Sequence, residues 1–309
     1  MTLLHIDTDL GVDDALALFV ASRLPGVRIA ALSTVFGNVP LATATRNARL
    51  LRHVLPLDPA LPILAGASGP FGGRTASVAT SIHGEDGLGG ATAGVDPSAL
   101  AAMSLPSSTD GDIATRFAAG PPSHIAPGEK IILVGLGPAT NLPALAAWYG
   151  DALSGVVLLS GAFFDRGNFT AATEFNAACD PQALAATLAL DIDLTIVPLD
   201  LCRKVLLPHE TIRQWPVVDP SPATRLLAAA HEHYVGVYHN AEGIDGCFPH
   251  DTIAVLAACR PAPFFAVQGS ITVGEGGLTR LHMCEEATTK VLTGGDLAWL
   301  RLGLARLLF

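Results

Sequence analysis

Residues 3–14 read LLHIDTDLGVDD, and this stretch predicts the first strand and helix of an α/β fold. Its apolar start, Leu3–Asp7, has the length of a buried strand, and the apolar spacing from Asp14 to Leu24 predicts a helix. Four carboxylates lie at the junction within eight residues: Asp7, Asp9, Asp13 and Asp14. A strand that runs directly into a helix, with acids at the turn, is typical of α/β domains that build a site at the carboxyl edge of the sheet.

The four carboxylates repel one another, and a hard cation would resolve that repulsion. Calcium and magnesium both prefer carboxylate oxygens, and calcium accepts irregular shells of about six to eight ligands. Gly11 would allow the sharp turn, and Asp13 and Asp14 would fall on the first turn of the helix, where negative charge is favoured. A simple helix cap would explain one of these acids but not all four. The pattern therefore predicts a metal site.

Strand and helix patterns alternate along the rest of the chain. Strands are predicted at Val27–Val35, Lys130–Val134, Gly155–Leu159 and Leu194–Leu199. Helices are predicted at Leu41–Leu55, Leu142–Trp148, Pro181–Leu188 and Ser221–Val237. This alternation predicts one α/β domain over residues 1–309, with a doubly wound, mostly parallel, Rossmann-like open sheet and helices on both of its faces.

Two polar, irregular segments, residues 66–97 and 240–249, are predicted to be surface loops beside the site. The segment Gly135-Leu136-Gly137 is not a dinucleotide fingerprint, because GxGxxG would need glycine where Thr140 stands. No organic cofactor is therefore expected.

Composition excludes several functional classes. The formal net charge of −10 disfavours nucleic acid and anionic membranes as partners. No leader and no apolar run long enough to cross a bilayer is visible. The five cysteines form no CxxC pair, which argues against a disulfide framework or a zinc site and favours a reducing compartment. The sequence thus predicts a cytoplasmic enzyme that acts on a small molecule.

The run from Asp7 to Ala15, DTDxGxDDA, resembles the signature of the inosine-uridine nucleoside hydrolase family. Further segments agree with that family in order. They are Val35–Asn38 with Thr45–Ala48, His83–Gly89, Gly137–Asn141, Gly167-Asn168 with Glu174–Asn176 and Asp180-Pro181, and His250-Asp251. The matches extend over most of the chain, so chance agreement is implausible.

The resemblance implies a role for each matched residue. Asp9, Asp14, Asp251 and the backbone carbonyl of Leu136 would bind Ca²⁺. Asp9 would also be the general base that activates water, and His250 the acid that protonates the leaving base. The ribose would be held by Asp13, Asn38, Asn168, Glu174 and Asn176. The nucleobase would contact His83, Tyr234 and Tyr238, while Asp7 and Leu159 would support the site from behind.

The resemblance further implies calcium-dependent hydrolysis of a ribonucleoside to ribose and a free nucleobase, by a homodimer or homotetramer. His250 favours the inosine-uridine type, and the choice between purine and pyrimidine stays open. The alternatives are a magnesium-dependent phosphatase, although Gly11 departs from its DxD pattern, and a non-catalytic nucleoside- or ribose-binding protein.

Three residues depart from the family pattern. Leu10 replaces a usual Pro and is expected to alter the stiffness of the turn, Leu159 replaces a Met under the ribose, and Thr252 replaces a frequent Pro. The spacing of Glu174 and Asn176 suits one face of an extended segment.

Overall fold

A computed structural model describes residues 1–120 and 125–308 and confirms the predicted α/β fold. The strands are β1 (Thr2–Thr8), β2 (Val27–Thr34), β3 (Ile63–Ala65), β4 (Gly111–Asp112), β5 (Ile131–Gly135), β6 (Leu153–Leu159), β7 (Leu194–Val197), β8 (Leu207–Pro208), β9 (Gly246–Cys247), β10 (Phe264–Val273), β11 (Thr279–Met283) and β12 (Lys290–Gly295). The predicted domain range of 1–309 includes residues 121–124 and 309, which lie outside the described residues, and that range stays a prediction.

The helices are α1 (Val12–Arg23), α2 (Leu41–Val54), α3 (Thr80–His83), α4 (Pro97–Ala102), α5 (Ile113–Ala118), α6 (Leu142–Tyr149), α7 (Phe175–Cys179), α8 (Pro181–Leu188), α9 (Leu199–Cys202), α10 (His209–Val218), α11 (Pro222–Glu242), α12 (His250–Cys259) and α13 (Leu297–Leu308). The predicted helices are all present, with ends shifted by a few residues.

Ten strands form one sheet in the order β11-β10-β12-β7-β6-β5-β1-β2-β3-β4. Among the described residues, every neighbouring pair in it is parallel except β10, which runs antiparallel to both β11 and β12. The chain winds outward from β1 through β2 and β3 on one side, and from β5 through β6 and β7 on the other. The order reverses between β1 and β5, and open α/β sheets bind ligands at such a switch point.

Apolar residues run continuously along the central strands and pack in turn on opposite faces, because both faces of the sheet are covered. In β6, Val157 and Leu159 pack into the core formed with α1, α11 and α12. The intervening Val156 and Leu158 pack into a second core with α6 and α8. The sheet is therefore a rigid platform buried between two helical layers.

Several predicted boundaries were wrong, and they concern elements next to the site. Strand β7 ends at Val197, because Pro198 breaks the strand and Leu199 begins the short helix α9. The predicted loop over residues 66–97 contains α3, and the loop over residues 240–249 contains the end of α11 and strand β9. Helix α11 continues to Glu242 and stops at Gly243, which has a left-handed φ of 71°.

In the described part of the chain, no helix combines the length and apolarity that a bilayer crossing requires.

Candidate active site

The junction of β1 and α1 places the aspartates at the switch point of the sheet. Strand β1 ends at Thr8, and α1 begins at Val12 with Asp13 and Asp14 on its first turn, as predicted. The Asp14 carboxylate accepts hydrogen bonds from the Gly11 N–H at 2.8 Å and from the Thr8 hydroxyl. It thereby pins the turn to the strand that precedes it.

Leu10 lies inside this turn with a left-handed φ of 46° and is fully buried. A proline, whose ring holds φ near about −65°, could not adopt this conformation. The departure from the family pattern at Leu10 is therefore more than the expected change in stiffness, because it permits a backbone conformation that proline forbids.

Three carboxylates from two helices converge beneath the cavity. Oxygens of Asp13, Asp14 and Asp251 lie within 4.8 Å of one another, and all three side chains are buried. Asp251 stands on the first turn of α12, which packs against α1. Asp251 is far from Asp13 and Asp14 in the sequence, and the fold brings the three acids together. The resemblance implies a different set, in which Asp9 takes the place of Asp13.

Asp9 stands beside this trio and outside it. Its two carboxylate oxygens accept hydrogen bonds from Asn38, one from the backbone N–H at 2.7 Å and one from the side-chain amide at 3.0 Å. The Asn38 amide also reaches Asp14 at 3.0 Å. Gly37 permits this close approach, because a Cβ on it would lie 2.0 Å from Asp9 Oδ2. Asn38, predicted to contact the ribose, thus also bridges two of the acids.

The pKa values of the clustered acids show how unfavourable the uncompensated charges are. Burial and the neighbouring Asp14 raise the pKa of Asp13 to about 8, and the same two causes hold the pKa of Asp9 well above its usual range. Burial and then Asp13 raise the pKa of Asp251. Asp13 Oδ1 is buried and has no hydrogen-bond partner among the described residues. An all-oxygen, strongly acidic site of this kind fits a hard divalent cation.

Asp7 lies behind the cluster and does not line the cavity, which agrees with a supporting role. Its carboxylate accepts hydrogen bonds from the Ser33 hydroxyl and from the Asn141 amide at 2.9 Å. Ser33 is hydrogen bonded in turn to His5 at 2.8 Å. Burial raises the pKa of Asp7 to about 6.

A cavity of about 320 Å³ opens above the trio, within the range of small-molecule sites. It brings together twelve of the fifteen predicted site residues: Asp13, Asn38, His83, Leu136, Leu159, Asn168, Glu174, Asn176, Tyr234, Tyr238, His250 and Asp251. The remaining three, Asp7, Asp9 and Asp14, do not line this cavity.

One wall of the cavity is built around Glu174 and Asn176. The Glu174 carboxylate caps α7, accepting hydrogen bonds from the N–H groups of Asn176 at 2.8 Å and Ala177 at 2.9 Å. Asn176 donates its side-chain amide to the carbonyls of Leu136 at 2.7 Å and Leu159 at 3.2 Å. The predicted extended segment was wrong, because Phe175 and Asn176 begin a helix that Glu174 caps.

Asn168 lies near the opening of the same wall and is exposed. Its side-chain carbonyl accepts a hydrogen bond from the Phe175 N–H at 2.8 Å, so it ties the preceding loop to α7. Its amide nitrogen can still donate to a ligand.

The opposite wall carries aromatic and imidazole rings. His83 stacks on Tyr234 with ring centroids 5.2 Å apart, and the Tyr234 hydroxyl donates to Asp13 at 3.3 Å. The Val12 N–H donates to His83 Nδ1 at 3.1 Å, which leaves the proton of the neutral ring on Nε2. Burial lowers the pKa of His83 to about 3, so the ring is neutral near pH 7.

His250 stands on the same wall at the start of α12. Its Nε2 lies 2.7 Å from the Tyr238 hydroxyl, and its buried Nδ1 has no partner among the described residues. Burial, and then the charge of Arg203, lower the pKa of His250 to about 3. The side chain of His250 is therefore a neutral imidazole near pH 7.

Sequence reasoning missed several residues that line the cavity, among them Arg166, Arg203 and Glu242. Arg203 follows the short helix α9, which no periodicity indicated. Glu242 had a signal, since Tyr234, Tyr238 and Glu242 recur at four-residue spacing on one face of α11. Because the helix was predicted to end at Val237, Glu242 was not placed on the same helix face as the two tyrosines.

Comparisons with known proteins agree with this geometry. The family model described as inosine-uridine preferring nucleoside hydrolase matches residues 4–299. The chain is 30% identical over 297 residues to uridine nucleosidase 1 of Arabidopsis thaliana, covering 95% of this chain and 84% of the relative. It is 31% identical to a non-specific ribonucleoside hydrolase of Klebsiella pneumoniae over 261 residues, which cover 84% of this chain and 79% of that protein.

The fold is also similar to that of solved structures. A plant nucleoside hydrolase superposes with a TM-score of 0.83 at 27% sequence identity, and the match covers 99% of this chain and 97% of that one.

Proposed function

Because the chain belongs to the family of inosine-uridine preferring nucleoside hydrolases, which are N-ribohydrolases, we propose that Ca²⁺, Asp9 and His250 perform the cleavage here on substrates of the inosine/uridine type. The observation that carries this proposal is the convergence of three buried carboxylates beneath a cavity that has a polar wall. Family membership sets aside the phosphatase and the non-catalytic binding protein as alternatives.

We assign the metal to Asp9, Asp14, Asp251 and the Leu136 carbonyl. Two of these, Asp14 and Asp251, also belong to the converging trio, whose third member is Asp13. Asp13 faces the cavity and can contact both a cation and a ribose hydroxyl. When bound, calcium would supply the positive charge that orients a water molecule and the ribose hydroxyls. The mutual repulsion of the acids supports a cation at this position, and the unpartnered oxygen of Asp13 is available to it as a further ligand.

Asp9 is suited to take a proton from the attacking water. Burial and the neighbouring Asp14 raise the pKa of Asp9, and a bound cation would offset part of that rise. The two hydrogen bonds from Asn38 fix the orientation of the carboxylate, so no reorganisation is needed when water attacks. Calcium lowers the pKa of water less than zinc does, and a carboxylate base therefore remains necessary.

The ribose would be bound by the wall around Glu174. N-glycosidic cleavage develops positive charge on the sugar, as in other glycoside hydrolyses. The carboxylates of Asp13 and Glu174 would stabilise that charge, while Asn38, Asn168 and Asn176 offer directional hydrogen bonds to hydroxyls. Leu159 lies beneath, and its carbonyl holds the Asn176 amide.

A 2′-deoxyribonucleoside should be a poor substrate. It leaves polar groups in a buried site without a partner, which costs more than the hydrogen bond alone. We expect kcat/KM for 2′-deoxyuridine to be about 10²-fold or more below that for uridine. Parallel assays with both substrates measure the ratio, and equal values would contradict the assigned ribose contacts.

The leaving nucleobase needs a proton, and His250 is the group placed to give it. Because burial lowers the pKa of His250, the imidazole would take up a proton from solvent as the substrate binds and then donate it to the leaving base. His83, Tyr234 and Tyr238 would surround the base.

His250→Ala should lower kcat for a ribonucleoside by about 10²- to 10⁴-fold, because general-acid assistance is removed. A riboside with a nitrophenolate leaving group departs without a proton, so its turnover should fall less than about 10-fold. An equal loss on both substrates would contradict the role of acid and point to a structural role. Tyr238→Phe, which keeps the ring, serves as the intermediate case.

The activity itself is tested with a panel of uridine, inosine, cytidine and adenosine, scored by release of ribose. We expect release from at least one of them and none of phosphate from a phosphate ester. Binding of these nucleosides in the presence of calcium, without cleavage of any of them, would contradict the proposal.

We propose a cytoplasmic homodimer or homotetramer. The cysteines are all free thiols in the described residues, which suits a reducing compartment. Exposed Phe265 and Met283 near one edge of the sheet support self-association. Light scattering on the purified protein and cell fractionation test these points, and a monomer or an exported protein would contradict them.

A further inference from the structure

The side chain of Arg203 stands between the two walls of the cavity and touches both. It is 12% exposed, although it carries a full charge. Buried charges of this kind are retained only when they are well paired. Its partners therefore show what the side chain is placed to do.

On the ribose side, Arg203 holds the segment of residues 161–173, here named the ribose loop, which carries Asn168. Nη1 donates to the carbonyl of Arg166 at 2.5 Å, and Nη2 donates to the carbonyl of Gly167 at 3.3 Å. Nη1 also lies 3.5 Å from the carboxylate of Asp165. These partners are the three residues that directly precede Asn168.

On the base side, Arg203 faces the end of α11. Nη2 lies 3.9 Å from Glu242 Oε1, and Arg166 reaches Glu242 Oε2 at 3.1 Å. Glu242 is the last residue of α11, four residues beyond Tyr238. The guanidinium is thus the centre of a balanced group of two cations and two anions that joins the loop to the helix.

The element that carries Arg203 is itself fixed. Its neighbour Asp200 on α9 accepts hydrogen bonds from the N–H groups of Phe163, at 2.9 Å, and Phe164, at the start of the ribose loop. Lys204 donates to the Thr293 carbonyl of β12 at 2.8 Å. Helix α9 therefore connects both parts of the loop to the rigid sheet.

We propose that Arg203 is a positioning residue, which closes the cavity by joining the ribose loop to the end of α11. This inference rests on the proposed function, since it assigns the two walls to the two halves of a nucleoside. Arg203 donates to the backbone of the loop and lies 3.9 Å from Glu242, so it would act on the substrate by placing Asn168 and Tyr238. The rigid fork of a guanidinium is needed, because a single ammonium cannot reach two carbonyls and two carboxylates together.

Kinetics of Arg203→Met test the proposal. Losing the junction leaves the walls unordered before binding, and we expect KM for uridine to rise about 10-fold or more while kcat changes less than about 3-fold. Arg203→Lys keeps the charge and should recover part of the loss. Lys290→Met is the matched control, because it removes the exposed ion pair with Asp193 outside the cavity and should leave KM unchanged.

Limited proteolysis gives a readout that does not depend on activity. Arg166 is 60% exposed, and trypsin would cut after it, but its carbonyl is held by Arg203. In Arg203→Met we expect cleavage between Arg166 and Gly167 to be about 10-fold faster or more, yielding fragments 1–166 and 167–309. Arg203→Lys should be cut at an intermediate rate and Lys290→Met at the rate of the unmodified chain.

The outcomes separate this inference from the proposed function. A parent enzyme that cleaves no ribonucleoside would overturn the proposed function, while the trypsin comparison still decides whether Arg203 restrains the loop. In an active enzyme, an unchanged KM in Arg203→Met would overturn the inference, whatever trypsin does. Should Arg203→Met fail to fold, Glu242→Gln removes the helix half of the junction alone. An unchanged KM in that variant would equally overturn the joining role.

Discussion

Replacing Asp9 by Ala should lower kcat for ribonucleoside cleavage by at least ~10³-fold. Two contributions disappear together, the base that takes the proton from water and a negative charge beside the cation. The structure places this carboxylate within the electrostatic reach of Asp13, Asp14 and Asp251, with both oxygens oriented by Asn38.

Asp9→Asn separates the base from the shape of the site. The side chain keeps its volume and one oxygen for Asn38, yet it cannot accept a proton from water at neutral pH. We expect a kcat loss close to that of Asp9→Ala, with KM changed less than about 3-fold. Asp191→Asn, which alters an exposed carboxylate, is the control and should keep full activity. Near-normal turnover of either Asp9 variant would remove Asp9 from the role of base.

The second large effect is expected for Asp251→Asn, which takes one carboxylate out of the converging trio. We expect calcium affinity to fall by about 10²-fold or more, and ribose release at limiting calcium to fall by about 10³-fold. Titration calorimetry and kinetics measure the two quantities. Unchanged calcium binding would mean that the cation lies elsewhere.

Thermal unfolding of the same variant gives a second test, in which we expect Asp251→Asn to gain stability in chelator although it loses activity. Because the folded-state pKa values of Asp13 and Asp251 are raised, the stability of the fold decreases as the pH rises from the ordinary carboxyl pKa through the raised values, and protonation at lower pH restores it. In chelator near neutral pH, Asp251→Asn should therefore unfold at a higher temperature than the parent chain. Calcium at 100 times its Kd should stabilise the parent by about 2.7 kcal/mol and the variant by much less.

Much of the fold could be predicted, because the central strands are buried on both faces and carry continuous apolar runs. Strand β6, for example, places Val156–Leu159 alternately into the two cores. The antiparallel part formed by β10, β11 and β12 could not be predicted. In β10 only Gly269 is buried, and large apolar residues such as Phe265 are exposed. The apolar pattern of the sequence therefore does not indicate which face of this strand is covered.

The N-terminal acids were predicted because four carboxylates at the end of a buried strand are unusual, whereas the polar wall was predicted through the family resemblance. Their contacts were not. Glu174 caps a helix through the N–H groups of Asn176 and Ala177, two and three residues further on, and this was missed because Glu is not among the preferred N-cap residues. Arg203 carries no local signal at all, since its partners are 36 to 39 residues away along the chain. The conformation of Leu10 likewise depends on the packing of the turn.

The proposed site requires that the release of ribose depend on the metal. The decisive measurement compares the rate of ribose release from uridine, or from the best substrate of the panel, in chelator and after calcium is restored to the same sample. The proposed site predicts a rate at least ~10³-fold lower in chelator and full recovery with calcium. Full activity in chelator, or no ribose release in excess calcium, would contradict it.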